Sequence, residues 1–345
     1  MGADSRRRDW RDGALVGLAG LVLLLILDAL VKDAGAPKGD DLIYELMARH
    51  PFETHSFPFA YRFGVPTLVH LSPLSNTTSF SLVAWLSTAA CGTVAYVLMR
   101  RFGVKTWIAA GLAVCLVLSP QLVVVSLRQG RNVDPETVLV MLAGGLAIAD
   151  RNARALCVTI LIGATIRESS LFLIPFAYAY WAQRLVDREA IKKVAVAGLP
   201  GFVAYVAIRY AIPTTPNRYG SSADIIKDVF KDPAVELRRI FIAFGPLWFV
   251  APFALKDMRY ARAGLALFAC CVLSFLFVRD WGRVLLLTAP AVYAASAYVL
   301  NNRRRLAIAA IVAFAALDVG YAIYMQAHGV ESNIINGPVP DYPVR

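Results

Sequence analysis

The 345-residue chain is 58% hydrophobic and only 17% charged, far from the roughly 45–50% apolar and about 25% charged balance of soluble domains, which excludes a soluble globular protein. Lys and Arg outnumber Asp and Glu by 35 to 24, but the basic residues stand in short clusters at the ends of apolar blocks, as orientation in a bilayer requires. A polytopic membrane protein without a nucleic-acid partner is therefore predicted.

Arg6, Arg7, Arg8 and Arg11 precede an apolar run over 13–31 that is too long for a secretory signal and lacks a convincing small-residue cleavage site, so it is expected to remain as a first span. A long polar segment, 32–77, follows. Within it Gly39-Asp40-Asp41 opens an amphipathic helix with Leu42, Ile43, Leu46 and Met47 on one stripe and Asp41, Glu45 and Arg49 on another. That helix is expected to lie along the membrane surface, with Asp40 in a capping position. His50 and His55 follow, at a spacing that matches no zinc signature; hydrogen-bonded loop histidines are the plainer reading.

Further apolar blocks at 78–99, 106–126, 136–149, 155–166, 169–183, 191–212, 240–255, 262–278, 284–300 and 306–325 bring the expected total to about eleven spans in an all-α bundle. The fourth and fifth are short, covering only about 20 Å of a roughly 30 Å hydrocarbon layer. Cys91, Cys115, Cys157, Cys270 and Cys271 all fall inside apolar blocks and imply no disulfide framework. Breaking the chain at Arg167-Glu168 places 19 Lys and Arg in about 50 residues on one side and 15 in about 110 on the other, as the positive-inside rule expects. The N-terminus is then cytoplasmic, and segments 32–77, 213–239 and the tail 326–345 are extracytoplasmic. A single membrane domain, 1–345, is expected.

Four polar clusters fall at outer span ends: Asp40-Asp41; Arg128 to Glu136, including Arg131 and Asp134; Arg167-Glu168-Ser169; and Arg279-Asp280-Trp281-Gly282-Arg283. Ionisable groups at membrane depth are costly unless paired or in a wet cavity, and guanidinium groups match phosphate oxygens in geometry. Each cluster also has a purely structural reading: Asp134-Pro135-Glu136 as a helix start, Arg167 and Glu168 as a mutual pair, and Arg279, Asp280 and Arg283 as an ion pair with Trp281 as an interfacial anchor. Asp28, Asp318 and Arg209 lie in or near apolar runs, close enough to the outer ends to reach water. No Gly-rich phosphate loop, metal-spaced Cys pair or nucleophilic serine motif occurs.

Gly39-Asp40-Asp41 with Tyr44, then Pro58 through Pro66 with Arg62, resembles the acidic loop and following segment of the GT-C fold, polyprenol-phosphate-sugar-dependent membrane glycosyltransferases, among them the protein O-mannosyltransferases and the lipid A aminoarabinose transferase. Asp134-Pro135-Glu136, the basic turn 150–154 and Thr165-Ile166-Arg167-Glu168-Ser169 are similar to that group's middle module, and Asp280 through Pro290 to its late outer arginine. The likeness is strongest over 14–185, weaker over 279–300, and leaves 186–325 as variable spans. The pair here is Asp-Asp where Asp-Glu is common, and the chain does not include the extracytoplasmic domain many members have.

The resemblance implies an inverting transfer of a sugar from a lipid-phosphate donor to an acceptor hydroxyl on the extracytoplasmic face of a bacterial-type plasma membrane. Asp40 is then the expected general base, with Asp41 beside it. Arg128, Arg131, Arg167 and Arg283 are expected to stabilise the departing phosphate, with Tyr44, Arg62, Asp134, Glu136, Glu168 and Asp280 supporting the site or the acceptor. Any divalent metal, Mg or Mn, would fall to Asp40 and Asp41. The expected partners are the lipid-linked donor, membrane lipids and a glycan, lipid or protein acceptor. A secondary transporter or flippase would show inverted repeats and midplane ion sites, which the halves do not display; a non-catalytic membrane subunit is the remaining class.

Overall fold

The computed structural model describes residues 3–31, 40–127, 130–215, 222–278 and 280–328. Helices make up nearly all of the regular structure. In chain order they are α1 (Ala3–Leu30), α2 (Asp40–Arg49), α3 (Gly64–His70), α4 (Asn76–Arg101), α5 (Thr106–Val117), α6 (Pro120–Leu127), α7 (Asp134–Ala149), α8 (Ala153–Ile166) and α9 (Leu173–Trp181). After these come α10 (Arg188–Ala211), α11 (Ser222–Val229), α12 (Pro233–Phe244), α13 (Leu247–Val250), α14 (Arg259–Ser274), α15 (Trp281–Leu285), α16 (Ala289–Leu300) and α17 (Arg304–His328).

The helix ends follow local chemistry. The Ser75 side chain accepts from the Thr78 amide at the start of α4, Asn152 from Ala155 at α8, and Asp187 from Glu189 and Ala190 at α10, each satisfying a donor that the first turn leaves unpaired. α7 opens with Pro135 at its first turn between two carboxylates, which suits both the fixed proline φ and the positive end of the helix dipole.

Among the described residues, six helices are long and apolar enough to cross a membrane, and eight are if the bent pairs 106–127 (48°) and 233–255 (75°) each count as one span. The expected eleven therefore includes segments shorter than a span: α7 has 16 residues, α8 has 14 and α9 has 9. α7 is buried on nearly all sides, so packing against neighbouring helices, not lipid thickness, sets its length.

One apolar core runs from α4 to α17. At its centre the Tyr260 hydroxyl donates to the Gly145 carbonyl at 3.0 Å, and the rings of Phe102, Phe176 and Tyr180 pack on Tyr260. α1 seats against α4 so closely that a Cβ at Gly17 would stand 2.7 Å from the Ala89 carbonyl, the small-residue contact by which membrane helices gain dispersion energy. At one end of the bundle Asp9 pairs with Arg100 at 3.0 Å and Asp150 with Arg101 at 3.0 Å.

The opposite end carries a second small core of Ile43, Tyr44, Met47, Phe59, Val65, Val69, Phe80 and Val133. Here α2 is covered more deeply than its sequence suggested: Tyr44 and Met47 are fully buried, Leu42 and Leu46 only partly, and α2 packs against α3. The apolar stripe was legible, but what covers it is protein, because 59–70 folds back over it. Strands β1 (His55–Ser56) and β2 (Thr214–Thr215) pair in parallel and join the first long polar segment to the second, so both lie at the same end.

Candidate active site

Four of the expected site residues meet at this end through one carboxylate. Asp134, on the first turn of α7, accepts at Oδ1 from Arg167 Nη1 at 2.6 Å and at Oδ2 from Arg283 Nε at 2.5 Å. The second nitrogen of Arg283, Nη1, stands 3.8 Å from Oδ2 of Asp40 on α2. α15 holds Arg283 at its base: Asp280 caps the helix by accepting from the Arg283 amide at 3.1 Å. Charge alternates along the row Asp40, Arg283, Asp134, Arg167, which is how ionised groups become tolerable away from bulk water.

Arg167 and Glu168 do not pair with each other. Arg167 ends α8 in extended backbone (φ −161°, ψ 135°), and a short 3₁₀ turn over Glu168–Phe172 follows, so the two side chains leave in different directions. Glu168 accepts a two-pronged pair from Arg62, 2.7 Å from Nη2 and 3.2 Å from Nε, and Arg62 Nη1 reaches the Tyr44 hydroxyl at 3.4 Å. Burial alone would raise the Glu168 carboxyl, but the charge and hydrogen bonds of Arg62, with the charge of Arg167, pull it down to about 2. Burial pushes the Tyr44 phenol up against the lowering effect of Arg62, so it stays protonated beside that guanidinium.

Arg131 ties α2 to the loop before α7. Its Nε donates to Glu45 of α2 at 3.0 Å and its Nη2 to Thr77 at 2.8 Å, while Asn76 also donates to Glu45 at 3.3 Å. The preceding Gly130 has φ +65°, and a Cβ there would lie 2.3 Å from the Phe80 carbonyl; glycine is what lets Arg131 turn in. Glu45 was visible in the sequence only as a polar position one turn after Asp41; its partner lies 86 residues away. Arg209 of α10, expected to snorkel to water, instead sits over the rings of Tyr61 and Tyr205 at 4.6 Å each and Phe57 at 5.5 Å, holding the segment that carries Arg62.

Of the remaining candidates, Asp41 is buried beside Asp40, and Glu136 is buried two residues further into α7. Arg128 lies outside the described residues. His50 pairs with Glu53 and His55 donates to the His50 carbonyl at 2.8 Å, so both are loop histidines. No group of three or more His, Cys, Asp or Glu is gathered among the described residues. Asp134 is engaged by two arginines, so a divalent ion such as Mg or Mn would have Asp40 and Asp41 as its protein ligands and would take its remaining oxygens from water and substrate phosphate.

Exposure separates the members of the row. The Asp40 and Arg283 side chains keep 29% and 24% of their surface open, against 7% for Asp134 and 9% for Arg167. One carboxylate and one guanidinium are thus accessible side by side, over a closed ion-paired base that fixes the guanidinium. Such an arrangement can take a proton at Asp40 and hold a phosphate oxygen at Arg283.

No family model matches the chain, and no curated protein matches it by sequence. Among solved structures it is similar to the Archaeoglobus fulgidus oligosaccharyltransferase, crystallised with Zn and sulfate, at a TM-score of 0.53 and 12% identity over 93% of this chain. The chain spans 53% of that protein's length. The likeness is one of fold, and it supports the GT-C-like architecture expected from the motifs.

Proposed function

We propose that the protein is a GT-C membrane glycosyltransferase that moves a sugar from a polyprenyl-phosphate donor to an acceptor hydroxyl on the extracytoplasmic face of a plasma membrane. The observation that carries the reading is the juxtaposition of Asp40 with Arg283, held in place by Asp134 and Arg167. The oligosaccharyltransferase likeness supports it at the level of fold.

In this reading the acceptor oxygen attacks the anomeric carbon as the bond from that carbon to the phosphate oxygen breaks, inverting the centre. Asp40 takes the hydroxyl proton, and Arg283 with Arg167 stabilises the phosphate that leaves on the lipid. Asp41, buried, supports Asp40. Arg62, Glu168 and Tyr44 anchor α2 to the break after α8, and so set the distance from Asp40 to Arg283. Arg131 fixes the far end of α2 through Glu45. Asp280 orients α15, and Glu136 backs Asp134.

The test is Asp40→Asn assayed with a radiolabelled polyprenyl-phosphate sugar in envelope membranes that contain the native acceptors. The expected result is a 10²–10⁴-fold loss of transfer, the range for removal of a positioned acid or base, with normal membrane insertion. Unchanged transfer removes Asp40 as the base. A transporter or flippase is the second reading, favoured by the bent pairs α5–α6 and α12–α13, since discontinuous helices form transport sites. It predicts donor movement across vesicles without chemical transfer, in both wild type and Asp40→Asn.

A further inference from the structure

At the end of the bundle away from Asp40, an open cavity of about 560 Å³ lies where the α7–α8 turn, the end of α9 and the start of α10 meet. Arg151, Lys192 and Lys193 line it, together with Trp181, Asp187, Glu189 and Val196. Its acids are already committed. Asp187 accepts from the amides of Gln183, Glu189 and Ala190 at 2.8, 3.1 and 3.2 Å, and Glu189 pairs with Lys192 at 3.2 Å. Three lining cations against two acids leave the cavity at +1, with two of the cations standing apart from the acids. Lys193 Nζ stands 4.6 Å from the centre of the Trp181 ring and the Arg151 guanidinium 5.7 Å from that of Tyr180, and neither makes an ion pair among the described residues. Arg151 holds φ +52°, a left-handed conformation uncommon for arginine.

From the mouth of this cavity an apolar stripe runs along α10. Val196, Leu199, Val203 and Val206, at helical spacing, are 67%, 59%, 55% and 44% exposed. A pocket with two uncommitted cations that opens onto an uncovered apolar stripe matches a molecule with an anionic head and acyl tails. We infer that the cavity binds the phosphate headgroup of an anionic phospholipid, with its tails along the Val196–Val206 stripe. The 14 residues of α8 separate it from Arg167 by about 20 Å at 1.5 Å per residue, so it is distinct from the proposed donor site.

The test uses the full chain purified in mild detergent, with native mass spectrometry against palmitoyl-oleoyl phosphatidylglycerol and the phosphatidylcholine of the same acyl chains. Phosphatidylglycerol is expected to bind at least ten-fold more tightly. Arg151→Gln and Lys193→Gln should each lower that affinity about five-fold, the equivalent of about 1 kcal/mol per cation near an anionic lipid surface, and Arg151→Lys should retain it. Val196→Asn with Leu199→Asn should weaken lipid binding without altering the response to inorganic phosphate. Equal binding of the two lipids, or phosphatidylglycerol binding unchanged in both Gln variants, overturns the inference. So does inorganic phosphate binding as tightly as the lipid, which would make this a soluble-anion site. The Asp40→Asn variant should bind phosphatidylglycerol as the wild type does, which separates this result from the fate of the glycosyltransferase reading.

Discussion

Asp134 carries two guanidinium groups on one carboxylate, with its side chain 7% exposed. Removing one partner of a buried ion pair leaves the others uncompensated and costs about 3–5 kcal/mol. Asp134→Ala should therefore lower the thermal midpoint sharply, measured in detergent by cysteine-reactive dye, whereas Asp40→Asn, at a half-open position, should leave it nearly unchanged. Equal midpoints for Asp134→Ala and wild type would mean that the two arginines have other counter-charges. Glu168 supplies a pH test. Its carboxyl is pulled down to about 2, below its ordinary value of about 4.3, so the unfolded chain binds the proton more readily. The stabilisation from Arg62 is complete above the ordinary value and is lost as pH falls towards 2. Between about pH 5 and 2 the midpoint of the wild type should fall more steeply than that of Glu168→Gln. Parallel curves would show that the pair does not couple to folding.

The position of α2 depends on a particular glycine. Gly130 needs both a positive φ and the absence of a Cβ against the Phe80 carbonyl. Gly130→Ala should shift Arg131 off Glu45 and destabilise the chain by roughly 1–3 kcal/mol, as forced overpacking does. Transfer should fall with it, since Glu45 lies on the helix that bears Asp40. A fully active, fully stable Gly130→Ala would sever that link. The start of α7 was readable because caps and charges act within one turn: Asp134-Pro135-Glu136 declares it by its own chemistry, whereas the Asn152 and Asp187 caps put the starts of α8 and α10 two and three residues ahead of the apolar blocks at 155 and 191. The burial of α2 was not readable. An apolar stripe beside a membrane protein looks the same whether lipid or another part of the chain covers it.

For the molecule as a whole, the pairing of His55–Ser56 with Thr214–Thr215 requires both long polar segments to lie at one end. Cysteines introduced at Ser72 and Lys227, in a background without the native cysteines, should react with a membrane-impermeant maleimide added outside intact cells. Cysteines at Asn302 and Arg154 should react only after permeabilisation. The reverse pattern would place the Asp40 end in the cytoplasm and end the extracytoplasmic reading.

Composition and the placement of charge by themselves determined that this is a helical membrane protein and which turns hold its ionisable residues, and they set the expectation of which side those turns share. Both signals are local or additive: apolar runs partition into lipid wherever they fall, and basic clusters count toward orientation irrespective of their partners. Only the tertiary structure decided who meets whom. Arg283 finds Asp134 across 149 residues and Arg62 finds Glu168 across 106, while the adjacent Arg167 and Glu168 are turned apart by a break in the backbone. Such pairings depend on how helices pack and in which direction each side chain leaves its turn, and neither is encoded in the spacing of residues along a single segment.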